Sequence, residues 1–154
     1  MDGEIARVYG NRLRVRVCGL CWQDDNLLVV CHRGLSANGF WAPPGGGLET
    51  GETLEDALVR EFLEETGLHV LPGRVLFGCE FLHPPLHALE LFFEATITGG
   101  TLRVGDDPEL PLLTDAAFLP VTTLAGKAAP DAHGIFRLAG TAAEVRKLCG
   151  FYRI

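Results

Sequence analysis

The polar and apolar positions change period several times along the chain. Across residues 11–22, Leu13, Val15 and Val17 alternate with Arg12, Arg14 and Arg16 before the run turns apolar throughout. Period two is the mark of a strand. Asp24-Asp25-Asn26 reads as a turn and residues 27–32 as a second apolar strand, so a hairpin is expected. Residues 33–39 are small and polar, as in a loop. The stretch WAPPGGG, residues 41–47, is first stiff and then permissive. Prolines fix φ, and glycines allow a close backbone approach. From Leu54 the period becomes helical: Leu54, Ala57, Leu58 and Phe62 supply an apolar face, Thr53 or Thr50 can cap it, and Gly67 ends it.

Two more strand patterns follow. One covers residues 74–81 behind a Pro72-Gly73 turn, and the other covers residues 87–98 after the break His83-Pro84-Pro85. Gly99-Gly100 turns the chain. Residues 104–115 read as an acidic loop with two prolines, 116–119 as a short final strand and 121–124 as a helical turn. Residues 141–149 read as a terminal helix, with Thr141 as cap and Glu144 as its reciprocal partner. Strands on both sides of one long helix suggest a mixed sheet covered on both faces, an α/β domain.

Composition narrows the function classes. The 154 residues suit a single domain, residues 1–154, with its own core. Net charge is −7 and no basic run occurs, so a nucleic acid duplex lacks its electrostatic footprint here. An acidic enzyme still binds phosphorylated substrates when metal ions supply the local positive charge. The first ten residues have no signal-peptide pattern, and no apolar run nears the roughly 18 residues of a membrane span. The expectation is a cytoplasmic protein with no membrane partner. Cys18 and Cys21 form a CxxC on a strand pattern, which puts them on opposite faces. Cys18, Cys21, Cys31 and Cys79 are therefore expected to be buried, inert thiols.

Candidate chemistry gathers on the helix. Glu61, Glu64 and Glu65 lie at i, i+3 and i+4 and share one face. Like charges at that spacing repel by roughly a few tenths of a kcal/mol per exposed pair. An acidic helix is ordinarily a solvated face. A bound divalent cation is the other way to resolve the repulsion, because hard cations take carboxylate oxygens. Arg60 lies eight residues after Glu52, within reach of an ion pair if the loop folds back.

Residues 46–68, GGLETGETLEDALVREFLEETGL, resemble the Nudix box, G-x5-E-x7-R-E-U-x-E-E-x-G-U with U bulky and apolar. Gly46, Glu52, Arg60, Glu61, Phe62, Glu64, Glu65, Gly67 and Leu68 meet its positions, with Phe62 where an aliphatic residue is commoner. The resemblance implies a Nudix-type α/β/α sandwich with a mixed β-sheet between helices. It implies Mg2+, with Mn2+ as a substitute, and water attack on the diphosphate of a small-molecule nucleoside diphosphate derivative: a nucleotide sugar, an ADP-ribose-like compound or an NTP. It assigns Glu61 and Glu65 as metal ligands, Glu64 as ligand or water partner, and Gly45 as the donor of a carbonyl. Glu52 and Arg60 would orient the loop against the helix. The general base comes from the box helix or from a separate loop, where Glu109 is the candidate. A homodimer also fits the family. A non-catalytic nucleotide sensor is the alternative, and a diphosphate isomerase would need catalytic positions that are not placed here.

Other residues carry two readings. Glu90 and Glu94 share a strand face across Phe92 and could form a site wall or sit in solvent. Trp41, Phe81 and Phe93 are expected in the core rather than on a base. His83, His87 and His133 have no metal-ligand spacing and are expected in structural or surface roles.

Overall fold

The computed structural model describes residues 3–106, 108 and 111–154. A short helix, α1 (Gly3–Tyr9), opens the described chain. It is followed by β1 (Leu13–Leu20), β2 (Trp22–Gln23), β3 (Asn26–His32), β4 (Phe40–Ala42) and β5 (Gly45–Gly47). The long helix is α2 (Leu54–Thr66), followed by the long strands β6 (Leu68–His83) and β7 (Leu86–Gly100). Then come β8 (Leu113–Pro120), the short helices α3 (Val121–Ala125), α4 (Ile135–Leu138) and α5 (Ala142–Val145), and β9 (Gly150–Arg153).

Two sheets form. The first is mixed, in the order β5-β1-β7-β6-β9; β1 runs parallel to β7 and β6 parallel to β9. The second joins β2, β3 and β4, with β8 also paired antiparallel to β3. On one side, Ala57, Leu58 and Phe62 of α2 pack on Val17, Cys21, Leu28 and Phe93. On the other, Cys18, Leu27, Phe77 and Phe92 meet Val121, Leu124, Ile135 and Val145 from α3, α4 and α5. The result is the expected α/β/α sandwich. Cys18 and Cys21 do face opposite cores, and Cys31 and Cys79 are buried too; Cys149 is exposed. A Cβ at Gly19 would collide with the Phe62 ring at 2.5 Å, so this glycine sets how closely α2 approaches β1.

Three expectations need correction, and one element was not expected. Pro72-Gly73 is not a turn: β6 runs through it, with register shifts between Pro72 and Val75 and between Val75 and Phe77. Pairing with β7 carries the strand across, and the bulge absorbs the missing proline N–H. The strand at 116–119 is part of β8 but is not the last, because β9 adds to the edge of β6. The terminal helix closes after four residues; its Thr141–Glu144 capping box is formed as expected. Finally, α1 has too short an apolar stripe, Ile5 and Tyr9, to stand out in the sequence.

Candidate functional site

The box helix begins where side-chain chemistry dictates. Thr53 Oγ1 accepts the Asp56 N–H at 3.0 Å, and Gly67 ends the helix in the left-handed region at φ 72° with its N–H on Leu63 O. These are an N-cap and an αL C-cap. The loop before the helix is tied down by Arg60. Its Nε and Nη2 donate to the two Glu52 oxygens at 3.1 and 2.6 Å, and Nη2 also reaches Gly47 O at 3.1 Å. The Glu52–Arg60 pair anticipated from spacing is therefore formed, in a fork geometry that holds well. It keeps Glu52 below the usual carboxylate range. Arg60 Nη1 also donates to Glu61 Oε1 at 3.0 Å and to Glu64 Oε2 at 3.3 Å.

Glu61 and Glu65 project into the corner between α2 and the glycine strand β5. Glu65 is 3% exposed; its Oε2 accepts the Gly45 N–H at 3.1 Å, and its Oε1 lies 3.7 Å from His32 Nε2. The Glu61 carboxylate rests against Gly46, where any Cβ would collide with it. Burial, and then the nearby Glu65 charge, push the Glu61 carboxyl up to about 7. Two carboxylates confined together repel unless a proton or a cation intervenes.

The donor set suits a hard divalent cation: carboxylate oxygens, a carbonyl at Gly45, and a side-chain-free cradle at Gly46. Glu61, Glu64, Glu65 and Gly45 are the residues that would hold it. Among the described residues, no group of three or more His, Cys, Asp or Glu stands together as placed so that it could hold a metal ion by itself.

This corner is one end of a cleft that opens to solvent. The other end is apolar, lined by Ile5, Tyr9, Leu35, Phe81, Leu86 and Leu112. Arg14 lies between, its guanidinium 4.3 Å from the centre of the Tyr9 ring. Among the described residues, the cleft lining carries five carboxylates (Glu49, Glu61, Glu64, Glu65, Glu90) and three guanidiniums (Arg14, Arg16, Arg60). A diphosphate entering it therefore needs added positive charge.

Sequence reasoning missed part of this site. Arg14 and Arg16 read as the polar half of an amphipathic strand. In fact Leu13 and Val15 are the exposed side, at 59% and 38%, and the arginines line the cleft. The signal was present: three arginines on alternate positions of an otherwise apolar strand. Glu90 is buried at 1% in the cleft floor, whereas Glu94 pairs with Arg74 on the surface. His133 is 3% exposed and bonded to Glu90, and His87 lines the cleft with its Nε2 3.1 Å from Glu80. Phe93 lies in one core and Trp41 packs against the other, as expected, but Phe81 lines the cleft. Glu109 lies outside the described residues.

Comparison with known proteins agrees with this geometry. Residues 11–139 match the family model of the NUDIX domain. An ADP-ribose pyrophosphatase of Methanocaldococcus jannaschii is 34% identical over 108 residues, 69% of this chain and 64% of that protein. A human 8-oxo-dGDP phosphatase is 33% identical over 141 residues, 88% of this chain but 42% of its own length. The chain thus spans less than two thirds of these curated relatives. Among solved structures, a NUDIX hydrolase from Nitrosomonas europaea superposes with a TM-score of 0.72 at 23% identity, covering 87% of this chain and 88% of that one. A MutT protein from Methanosarcina mazei gives 0.67 at 18% identity, covering 82% and 89%.

Proposed function

The chain belongs to the Nudix family, and on that premise we propose that it is a Mg2+-dependent pyrophosphohydrolase acting on a small nucleoside diphosphate derivative. One observation carries the reading. The acidic face of α2 and the glycine strand β5 meet at the end of a cleft whose middle is basic and whose far end is apolar. Such a cleft matches a ligand with a diphosphate at one end and a flat or apolar group at the other.

In this reading Glu61, Glu65 and Glu64, with the Gly45 carbonyl, hold Mg2+, and Mn2+ can replace it. The ion, when bound, supplies Lewis-acid polarisation of phosphoryl oxygens and a more acidic water. The residues of the chain do the rest. Arg60 locks Glu52 and the Gly47 carbonyl to the helix, so the carboxylates and the glycine strand keep one relative position. Glu64 is the helix candidate for accepting the proton of the attacking water, and Glu109 is the loop candidate. Phe81, Leu86 and Tyr9 shield the far end of the cleft and favour a group with an apolar face. The printed names of the relatives, ADP-ribose pyrophosphatase and 8-oxo-dGDP phosphatase, put ADP-ribose-like compounds and nucleoside diphosphates first among the candidates. The whole chain acts as one domain.

A panel of ADP-ribose, nucleotide sugars, nucleoside diphosphates and NTPs, incubated with Mg2+, tests the reading. The expected result is turnover of at least one compound, falling by about 10²-fold or more in Glu65→Gln. Tight binding without turnover of any compound would instead mark a nucleotide sensor.

A further inference from the structure

Arg16 sits where a buried polar network meets the glycine strand, and the box chemistry gives neither the arginine nor that network a role. Its Nη1 donates to Glu90 Oε2 at 2.7 Å, and its Nη2 donates to Gly45 O at 3.3 Å. Glu90 is in turn held by His133, whose Nε2 lies 2.8 Å from Oε1. The Ile135 N–H donates to His133 Nδ1 at 3.2 Å, so Nδ1 is the acceptor and the ring proton sits on Nε2, pointing at Glu90. A continuous line of hydrogen bonds therefore runs from α4 through His133, Glu90 and Arg16 to the glycine strand.

Stability alone is a weak reason for this arrangement, because an apolar set of similar volume often does as well as a buried ion pair. The guanidinium is also under-used. Glu90 and Gly45 take two of its N–H groups, Nε is buried without a partner among the described residues, and the side chain remains 23% exposed where it lines the cleft. A planar cation held rigid, with donors to spare, is suited to phosphoryl oxygens. The Gly45 carbonyl has a second lone pair, so its contact with Arg16 leaves room for another partner.

We propose that Arg16 grips a phosphoryl oxygen of the substrate's diphosphate, and that Glu90 and His133 are positioning residues that set its guanidinium. The proposal rests on the reading that this cleft takes a diphosphate. It assigns the β1 arginine a role separate from the box carboxylates: they hold the cation, and Arg16 holds the anion.

Calorimetric titration of α,β-methylene-ADP, whose bridge resists hydrolysis, into Mn2+-saturated protein reads this grip without turnover. Arg16→Gln is expected to weaken analogue binding about tenfold or more, the usual scale for losing a charged hydrogen bond. Its affinity for Mn2+ alone should be unchanged or tighter, because a neighbouring cation is gone. Arg16→Lys keeps the charge but not the fork, and should recover only part of the loss. Glu90→Gln should weaken the analogue several-fold through Arg16 while sparing Mn2+, and His133→Asn should act in the same direction. Wild-type affinity in both Arg16→Lys and Glu90→Gln would overturn the proposal. So would loss of Mn2+ and analogue binding in parallel with a collapse in Tm, or no analogue binding by the wild-type protein. A protein that binds the analogue through Arg16 but hydrolyses nothing keeps this inference and loses the activity proposed above.

Discussion

Glu61 carries the conflict on which the site is built. Burial and the neighbouring Glu65 raise its carboxyl to about 7, against an ordinary value of 4.5. A group whose folded value lies above its unfolded value binds a proton on folding. Its favourable contribution is present below about 4.5 and fades as pH rises through about 7. Without metal, then, an ionised Glu61 opposes folding at pH 8, by an amount on the order of 3 kcal/mol at most. Glu61→Gln removes that charge and keeps the shape. In EDTA the variant should raise Tm at pH 8 and change it much less at pH 5, as read by thermal melts at both values. A variant equally or less stable at pH 8 would mean that the carboxylate is not under this strain. Glu90 shows the opposite case. Burial works to raise it, but His133 and Arg16 outweigh that and hold it well below the usual range.

Elements put these residues together, and they were unequally legible. The box helix could be read closely from its sequence, because Thr53, the apolar face and Gly67 are local signals that act within one turn. The Glu52–Arg60 tie was also visible, being a short-range pair. What the chain did not show is long-range. The parallel pairing of β1 with β7 sets Arg16 opposite Glu90, and those residues are 74 apart in sequence. His133 reaches Glu90 only because the segment leading into α4 folds back over the sheet. Pro72-Gly73 misled for the same reason: its local turn preference lost to the ladder with β7. The contact between β5 and α2 gives a prediction at this scale. Gly46→Ala would drive a methyl into the Glu61 carboxylate, leaving that side chain to move aside. Hydrolysis of the panel substrate should fall about as far as in Glu61→Gln, with the far-ultraviolet circular dichroism retained. Full activity would show that the close approach of Gly46 and Glu61 is not needed.

At the scale of the whole molecule, the sandwich divides its work between faces. One core fixes α2 against the mixed sheet, and the other fixes α3 to α5 and, through them, His133. The cleft opens between the box corner and the cluster of Ile5, Tyr9 and Leu112, to which α1 contributes from outside residues 11–139. The family likeness therefore covers the carboxylate corner and the arginine strand but leaves out a wall of the far end. No helix among the described residues is long and apolar enough to cross a membrane. Everything proposed for the activity depends on the corner taking up a cation. Titration of the metal-free protein with Mn2+, followed by the loss of the free-ion signal in electron paramagnetic resonance, tests this most directly. Saturable uptake is expected for the wild-type protein, with affinity at least about tenfold weaker in Glu65→Gln, consistent with losing one charged ligand. No uptake, or equal uptake by both proteins, would contradict it.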